Sequence, residues 1–290
     1  MKELLTLSEF IDDNQLAVKV LRRSPQPEYE LHSHEFAELV IVYGGRGEHF
    51  TPHNSAVIEA GDVFVIHGSM KHGYRKVEAL ELVNIMFNIS GFDNPLLELA
   101  RFPAFHALFL LAPQFQHSAG GAMRLKPMEL REIMVRVERL ELEQKDKAAG
   151  YRMMATAAFM ELIALLSRYY AAGETQKAVG PMLRLAKVMA AVAEDSAKPW
   201  TRNKMAVMSG MSNSTLTRFF NRFVGCSPVE YLLRARIKRA CALLSFPDLT
   251  ISGIAASCGF SDSNYFCRQF RRRMKCSPLE HRKFILKTRE

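Results

Sequence analysis

The sequence predicts a two-part α+β protein, in which an N-terminal antiparallel β-barrel and its following helices precede an all-α C-terminal domain. Three observations support this prediction. Short β-branched and aromatic runs fill residues 28–90, and helical periodicity begins at Lys126. The charge also reverses its sign near Gly180: residues 181–290 hold 20 lysines and arginines against 7 aspartates and glutamates, a net charge of +13, whereas the preceding residues have a net charge of −4.

The composition of the whole chain restricts its class. Its 290 residues are 48% hydrophobic and 24% charged, which excludes a disordered or collagenous chain. No window reaches the ~18 uninterrupted apolar residues of a membrane-spanning helix, and acidic residues stand where a signal peptide has an apolar run. We therefore expect a cytoplasmic protein with no membrane partner. Five cysteines without a C-x-x-C pair indicate reduced thiols rather than disulfides or a zinc ribbon.

The first domain is expected to consist of short antiparallel strands. The runs ELVIVY, VFVIH and LELVNIMFNI are rich in β-branched and aromatic residues, and clusters of Gly, Pro, Asn and His separate them. Many short strands with tight turns are typical of a small barrel or sandwich. We assign residues 1–126 to this barrel and an N-terminal arm.

Two amphipathic helices follow the barrel. Pro127 suits the first position of a helix, and apolar residues then recur at helical spacing. We expect residues 127–171 to form a homodimer contact, because closed two-fold pairs are the commonest oligomers; packing on the chain's own barrel is the alternative. The apolar side chains of this region are Met134, Val137, Phe159, Leu162 and Leu166. The small and polar residues 172–181 are typical of a linker.

The basic domain, residues 182–290, repeats itself. Residues 200–230 align with residues 249–280 at a shift of 49, and then of 50. The identical pairs are Thr201/Thr250, Ala206/Ala255, Gly210/Gly259, Ser212/Ser261, Ser214/Ser263, Arg218/Arg268, Phe220/Phe270, Arg222/Arg272, Cys226/Cys276, Ser227/Ser277, Pro228/Pro278 and Glu230/Glu280. Each copy has a threonine that can cap a short helix, a turn with glycine and serine, and a second helix with arginine and phenylalanine. This pattern predicts two helix-turn-helix units, at about residues 201–224 and 250–274.

The second helix of each unit must turn a polar face to DNA and an apolar face to the core. Arg218 and Arg268 are matched and outward, so we expect them to make bidentate contacts to guanine. Arg222 and the arginines at 271–273 are expected to contact phosphates, and the helix EYLLRARIKRACALLS is expected to hold the two units at a fixed separation. The residues predicted to contact double-stranded DNA are Ser214, Thr217, Arg218, Asn221, Arg222, Asn264, Cys267, Arg268, Arg271 and Arg272.

Residues 205–282, with GMSNSTLTRFF, IAASCGFSDSNYFCRQFRRR and CSPLEHR, resemble the DNA-binding domain of the AraC/XylS family of bacterial transcription regulators. The resemblance implies a monomeric domain whose two helix-turn-helix units read adjacent major-groove segments. One position departs from the repeat, since Gly225 closes the first recognition helix and Lys275 stands at the equivalent place in the second. A lysine in the left-handed conformation costs roughly 1 kcal/mol, so we expect the second helix to end differently.

A second polar constellation lies in the predicted barrel. His32, His34 and Glu38, with Gly45, Gly61 and His72 after them, resemble the two motifs of the cupin barrel. Alternate residues of a strand share a face, so His32, His34 and Glu38 can point inward together with His72. Three imidazoles and a carboxylate suit a divalent transition metal ion, and without metal they suit a hydroxyl-rich ligand. We favour the ligand and expect no required cofactor. A third interpretation places His32 and His34 at a strand edge in solvent.

The first half also resembles the regulators of the L-rhamnose operon, through LHSHEFAELVIVYGGRGEHF, GDVFVIHGSMKHGY and LELVNIMFNI. This resemblance implies a transcription activator that binds a six-carbon deoxy sugar, such as L-rhamnose, inside the barrel. The residues expected to line the pocket are His32, His34, Glu38, Arg46, His72, Tyr74 and Asn84.

These features together predict a ligand-responsive regulator of carbohydrate-utilisation genes and not an enzyme. Sugar binding is expected to change how a dimer presents its basic domains to adjacent half-sites and to RNA polymerase. Two alternatives stay open. A metal-dependent cupin enzyme tethered to DNA would need metal at His32, His34, Glu38 and His72. An architectural DNA-binding protein with a non-sensing barrel would show weak sequence preference.

Overall fold

A computed structural model describes residues 4–6, 18–68, 70–87, 99–111, 123–172 and 180–287 of the protein. The chain divides into two compact units, Met1–Ala186 and Lys187–Glu290, which we call unit 1 and unit 2. The predicted linker falls largely outside the described residues, and a helix already begins at Gly180. No helix in these described ranges has the length and hydropathy to span a membrane.

Unit 1 contains the strands and three helical segments. The strands are β1 (Leu4–Leu5), β2 (Val18–Arg23), β3 (Tyr29–His34), β4 (Ala37–Phe50), β5 (Ser55–Glu59), β6 (Asp62–Ile66), β7 (His72–Phe87) and β8 (Met123–Arg124). The helices are α1 (Pro103–Phe105), which continues as a π-helix over His106–Leu111, α2 (Pro127–Asp146) and α3 (Tyr151–Ala172). A further helix, α4 (Gly180–Glu194), contains the point at which the two units divide.

The sheet is organised around a long ribbon of β4 and β7, which pair antiparallel with bulges between Val42 and Glu48. The strands follow the order β1-β3-β7-β4-β6-β8, while β2 also pairs with β7 and β5 with β4. Among the described residues this path does not return to its first strand, so the sheet is open where the sequence predicted a closed barrel. The long strand β4 changes its partner at the bulges, since β6 pairs with it before Val42 and β5 from Arg46 onward, whereas a closed barrel needs an unbroken ring of pairs.

Helices α2 and α3 pack on the outer face and edge of this sheet. The Phe87 ring of β7 lies 5.2 Å from the Phe159 ring of α3, measured between centroids. The Gln144 side chain of α2 accepts a hydrogen bond from the Val20 amide and donates one to the Val18 carbonyl, both at 3.1 Å. These bonds satisfy backbone groups of β2 that an uncovered sheet edge would leave open to pairing with another chain.

The apolar side chains predicted to contact a dimer partner are used within the chain. Of these five side chains Met134 is half-buried, and the buried ones are Val137, Phe159, Leu162 and Leu166. Their positions on α2 and α3 turn them toward each other and toward the sheet, which is the packing that the sequence analysis kept as the alternative. A dimer surface on these helices therefore has to use their opposite face.

Unit 2 is helical in its described residues. Its helices after α4 are α5 (Arg202–Ser209), α6 (Asn213–Phe223), α7 (Pro228–Leu243), α8 (Ile251–Ser257), α9 (Ser263–Met274) and α10 (Pro278–Lys287). Helix α7 contacts both helix pairs, α5–α6 and α8–α9. The second pair encloses an apolar core in which Ile237 of α7 packs with Phe266 and Phe270 of α9. The long helix predicted between the two repeats is thus the shared support of both pairs.

The helix ends follow from single residues. Thr201, Ser212 and Thr250 each accept a hydrogen bond from the backbone amide three residues later, at 3.0–3.1 Å, and begin α5, α6 and α8. Lys275 ends α9 in the left-handed conformation with a φ of 62°, close to the 72° of Gly225 after α6. The expectation that the lysine makes α9 end differently is therefore wrong. The amide of Lys275 donates to the Arg271 carbonyl at 2.9 Å, which helps to compensate the strain.

Candidate functional site

Unit 1 holds a buried cluster of three histidines and one glutamate. The Oε2 atom of Glu38 lies 3.1 Å from His34 Nε2 and 3.4 Å from His72 Nε2, and all three side chains are at most 7% exposed. The His32 ring lies 4.2 Å from the His72 ring between centroids. We call these four residues the histidine cluster. They are the four residues for which the sequence predicted a metal site or a ligand site.

Strand pairing places His32 of β3 directly opposite His72 of β7. Glu38 lies on β4 beside the far end of β7, so its contact with His72 crosses the interior of the sheet and does not join paired residues. His34 follows His32 by two residues, as the alternation of a strand requires for a shared face. The inward orientation therefore replaces the interpretation in which His32 and His34 stand in solvent.

Backbone carbonyls fix the tautomer of each imidazole in the cluster. The Nδ1 atoms of His32, His34 and His72 lie 3.1, 2.6 and 3.2 Å from the carbonyl oxygens of Glu30, Phe36 and Met70 respectively. A carbonyl oxygen only accepts, so each Nδ1 carries the proton. In a neutral ring the Nε2 atom is then an unprotonated acceptor. Two such acceptors, on His34 and His72, face the carboxylate of Glu38, and this arrangement requires a cation, either protons or a metal ion.

The electrostatics of the cluster favour an ionised Glu38 beside a neutral His32. Burial acts to raise the pKa of Glu38, but the close imidazoles of His34 and His72 outweigh it and leave this pKa well below its usual range. Burial, followed by the proximity of His72, lowers the pKa of His32 to about 4. Three atoms that could ligate a metal ion, one each on His34, Glu38 and His72, lie within 4.8 Å of one another. Two nitrogens and a carboxylate oxygen are ligands that divalent transition metals accept.

Further polar atoms without partners extend the cluster along the interior of the sheet. Among the described residues, His49 Nε2, His72 Nε2, Tyr74 OH and Asn84 Oδ1 are buried without a hydrogen bond of normal geometry. The His49 ring lies 5.6 Å from the His72 ring and 5.5 Å from the Tyr74 ring. Burial lowers the pKa of His49 to about 3 and raises that of Tyr74, so both are neutral near pH 7. Buried polar atoms seldom lack partners, and a bound polar ligand would supply them.

Arg46 lies outside this interior, contrary to the expectation from the sequence, and His49, for which the sequence analysis made no prediction, lies inside it. Arg46 is 63% exposed and pairs with Glu78 at 2.8 Å. Strict alternation from Glu38 puts the even-numbered residues of β4 inward. The bulges between Val42 and Glu48 break that alternation, so His49 reaches the interior instead. No sequence signal for His49 was available apart from its polar character on a strand.

The first helix pair of unit 2 forms an open concave surface. All five residues predicted there lie on it, together with Arg202 and Asn213, which the sequence analysis missed. The lining residues are Arg202, Asn213, Ser214, Thr217, Arg218, Asn221 and Arg222. Within the described part of the chain no carboxylate pairs with Arg202, Arg218 or Arg222, so their charges are available to a polyanion. Arg202 starts α5, and its proximity to α6 follows from the turn between the helices rather than from the periodicity of either one.

On the second helix pair, four of the five predicted residues share an exposed face. They are Asn264, Arg268, Arg271 and Arg272. Cys267 instead packs partly buried against the core of the pair, because it lies next to Phe266 and three residues before Phe270 on the edge of the apolar face. Arg273 is only 13% exposed in an ion pair with Glu230, so it is not free for the phosphate contact expected of it.

Two family models match the chain. Residues 20–166 match the AraC-like ligand binding domain, and residues 205–283 match a helix-turn-helix domain. The HTH-type transcriptional activator RhaR of Mannheimia succiniciproducens is 26% identical over 99% of this chain and 100% of its own length. RhaR of Escherichia coli K12 is 30% identical over 96% of this chain and 95% of its own length. A crystal structure of the DNA-binding domain of AdpA with a target DNA is 29% identical, with a TM-score of 0.34, over 34% of this chain and 90% of that one.

Proposed function

The chain belongs to the AraC family of helix-turn-helix transcription regulators, and on this basis we propose how its two units divide the work. Unit 1 senses a small sugar in the interior of its sheet, and unit 2 reads DNA with two helix-turn-helix units. The named relatives are transcriptional activators, and the similarity to this chain extends over nearly their whole length. The protein is therefore a DNA-binding regulator and not an enzyme. The observation that supports this division best is that partnerless polar atoms of His49, His72, Tyr74 and Asn84 gather in the interior of unit 1, while arginines without a carboxylate partner line a concave surface of unit 2.

The sensor site is proposed to bind a polyhydroxylated ligand, L-rhamnose or a similar sugar. Sugar hydroxyls both donate and accept, which matches a set of acceptors and donors that lack partners. A neutral sugar also leaves no net charge to compensate at His49 and Tyr74, which are both neutral near pH 7. The residues proposed to line the site are His32, His34, Glu38, His49, His72, Tyr74 and Asn84.

We also propose that a divalent transition metal ion is held in the histidine cluster. The support is the fixed tautomer, because His34 Nε2 and His72 Nε2 both present lone pairs toward the Glu38 carboxylate. Metal-ligating histidines usually donate their other ring proton to a carbonyl or carboxylate, as Nδ1 does here. When bound, such an ion supplies a Lewis acid that orients hydroxyl oxygens. Protons on His34 and His72 are the alternative, and a chelator distinguishes the two.

For unit 2 we propose that α6 and α9 are the recognition helices of two helix-turn-helix units. Arg218 and Arg268 would make bidentate contacts to guanine, each worth about 1–3 kcal/mol of discrimination. Arg222, Arg271 and Arg272 would contact phosphates, which fixes register and affinity but carries no sequence information. Because both helices rest on α7, they would read adjacent segments of the major groove at one separation.

The protein is proposed to act as a homodimer through the outward face of α2. Three apolar residues at heptad spacing, Met128, Val135 and Leu142, are 69%, 54% and 57% exposed. On the same face Arg131 and Glu138 carry opposite charges, which an antiparallel second copy of α2 would bring near each other. As a DNA-binding activator it would contact RNA polymerase and work in the cytoplasm, where the chromosome is.

A thermal-shift screen of the purified full-length protein tests the sensor. L-rhamnose, L-fucose and L-arabinose are added separately, with and without a chelator, and the same sugars are tested on His49→Phe and on Arg46→Ala as the matched control. We expect one sugar to raise the melting temperature of the protein and of Arg46→Ala, but not that of His49→Phe. A shift that disappears with the chelator supports the metal ion, and one that survives it supports protonated histidines. No shift with any sugar contradicts the sensor assignment.

Coupling between the units is tested by measuring operator affinity and transcription with and without the sugar found in this screen. An effective switch needs a coupling of about 1–3 kcal/mol, which corresponds to roughly a 5- to 150-fold change in affinity. Equal affinity and equal transcription in both conditions would show that unit 1 does not control unit 2.

A further inference from the structure

Arg273 connects the second recognition helix to the helix that supports both pairs. Its Nη2 atom donates to Glu230 Oε2 of α7 at 2.5 Å, and its Nη1 atom donates to Gln269 Oε1 at 2.5 Å. The Arg273 side chain is 13% exposed, in contrast to the exposed Arg271 and Arg272 on the same helix. This arginine is therefore directed into the domain rather than toward DNA.

The internal repeat contains no second version of this connection, because it joins Glu230 of the first copy to Arg273 of the second and the matching positions are Glu280 and Phe223. In the second copy the carboxylate of Glu280 accepts a hydrogen bond from the Ser277 amide at 2.6 Å and closes a capping box. The equivalent Glu230 of the first copy uses its carboxylate for Arg273 and Arg234. Arg273 itself aligns with Phe223, a buried core residue of α6. At the matching positions Glu280 caps its own helix and Phe223 packs in the core, whereas Glu230 and Arg273 form an ion pair that joins the two copies.

The first turn of α7 touches both recognition helices. Glu230 pairs with Arg273 of α9, and the next residue, Tyr231, packs its ring 5.7 Å from the Phe220 ring of α6. Tyr231 is half-buried, and the desolvation of its hydroxyl raises its pKa above the usual range. Two consecutive residues of one rigid helix therefore locate α6 and α9 relative to each other.

We propose that the Glu230–Arg273 ion pair is a positioning contact that sets the separation of the two DNA-reading helices. Glu230 and Arg273 are then positioning residues and do not themselves contact DNA. The inference rests on the proposed reading of DNA by both α6 and α9. It predicts that loss of the pair relaxes the spacing that the protein demands between its two major-groove segments, while each segment is still read with the same sequence preference.

The experiment uses the full-length protein and an operator selected by that protein from random duplex DNA. Affinity is measured for this operator and for versions with one base pair inserted or deleted between the two contacted segments. For Arg273→Gln we expect the preference for the native spacing to fall by roughly fivefold or more, the lower end of typical coupling between sites. The double variant Glu230→Arg with Arg273→Glu restores the ion pair in reverse, so we expect it to recover the native preference.

A salt titration separates this role from a phosphate contact. Arg272→Gln is the matched control, since Arg272 is the exposed neighbour. Each lost phosphate contact lowers the slope of log affinity against log salt by about 0.9, so we expect this change for Arg272→Gln and not for Arg273→Gln. Urea unfolding of each variant, monitored by Trp200 fluorescence, verifies that unit 2 is folded. If Arg273→Gln is not folded, Arg273→Lys replaces it, because the lysine keeps a cation for Glu230.

The outcomes distinguish this inference from the function on which it rests. If the unmodified protein tolerates inserted base pairs as well as the native spacing, both the two-helix reading and the positioning role are wrong. If the unmodified protein is sensitive to spacing and Arg273→Gln is equally sensitive, only the positioning role is overturned. A slope lowered by about 0.9 in Arg273→Gln, without rescue by the reversed pair, would assign Arg273 to a phosphate.

Discussion

Replacing Gly259 by alanine is expected to destabilise unit 2 much more than the same replacement at Gly225. Both glycines have a left-handed backbone, with φ of 82° and 72°, and an alanine there costs roughly 1–2 kcal/mol on conformation alone. A Cβ on Gly225 meets no atom within 4 Å, whereas a Cβ on Gly259 would lie 2.5 Å from the carbonyl oxygen of Ala197 and 2.8 Å from its Cα. The backbone must move to relieve that clash, and forced packing of this kind costs about 1–3 kcal/mol more.

Unit 2 carries the one tryptophan of the chain, which makes the comparison measurable. Trp200 donates from Nε1 to the Asp195 carbonyl at 2.8 Å, so its fluorescence reports on this unit during urea unfolding. We expect Gly225→Ala to lose about 1–2 kcal/mol and Gly259→Ala about 2–5 kcal/mol of unfolding free energy. Lys275→Gly serves as the opposite control and should gain about 1 kcal/mol, because it removes left-handed strain from a lysine. Equal losses for the two alanine variants would refute the close approach of the Gly259 turn to Ala197.

Three further predictions concern DNA contact, assembly and pH. Arg222→Gln should lower the slope of log affinity against log salt by about 0.9 for every operator sequence. Arg218→Gln should instead reduce the preference for guanine by about 1–3 kcal/mol. Anisotropy titrations with wild-type and substituted operators at several salt concentrations measure both effects. Val135→Glu should convert a dimer to a monomer in analytical ultracentrifugation, and the same substitution at Val57 of β5, which is also exposed, should not. Burial lowers the pKa of His106 from 6.5 to about 4. The folded state, in which His106 is neutral, therefore loses free energy of unfolding as the pH falls from 6.5 toward 4, by up to about 1.4 kcal/mol per pH unit. His106→Gln should remove that share of the slope in urea unfolding followed by circular dichroism.

Specific results would contradict each of these three. If Arg218→Gln and Arg222→Gln gave the same profile over all operators, the separation of base readers from phosphate contacts would be lost. A Val135→Glu protein that stays dimeric would move the interface away from α2. A His106→Gln protein with an unchanged pH slope would show that His32 and His49, whose pKa values burial also lowers, account for the acid sensitivity.

Much of unit 2 could be predicted from the sequence because its determinants are local. Caps such as Thr201, Ser212 and Thr250 act within one turn of the residue that carries them, and the internal repeat supplies each pattern twice. The outward arginines follow from helical periodicity alone. Arg202 was missed because it reaches the concave surface from another helix, and its position depends on the angle between α5 and α6, which no periodicity contains.

Unit 1 was less predictable because its sheet departs from regular alternation. The motif of His32, His34 and Glu38 lies in strand segments where alternation holds, and the structure brings these residues together with His72. Farther along β4 the bulges shift the alternation by one residue, which exchanges the positions expected of Arg46 and its neighbours and brings His49 inward. A bulge is set by pairing with the partner strand, so a strand read by itself does not show where it occurs.

The repeat in unit 2 carries a related lesson, because identity of residues does not imply identity of role. Glu230 and Glu280 match in the alignment, yet Glu280 closes its own helix cap and Glu230 reaches a different helix. The difference originates at a third position, where a phenylalanine of the first copy corresponds to Arg273 in the second. Both contacts are charge-assisted hydrogen bonds of a carboxylate, one from a backbone amide of the cap and the other from a guanidinium. Glu280 closes its own cap, because the position of the first copy that matches Arg273 is Phe223, which offers no charge; Glu230 pairs with Arg273 and so connects the two helix pairs.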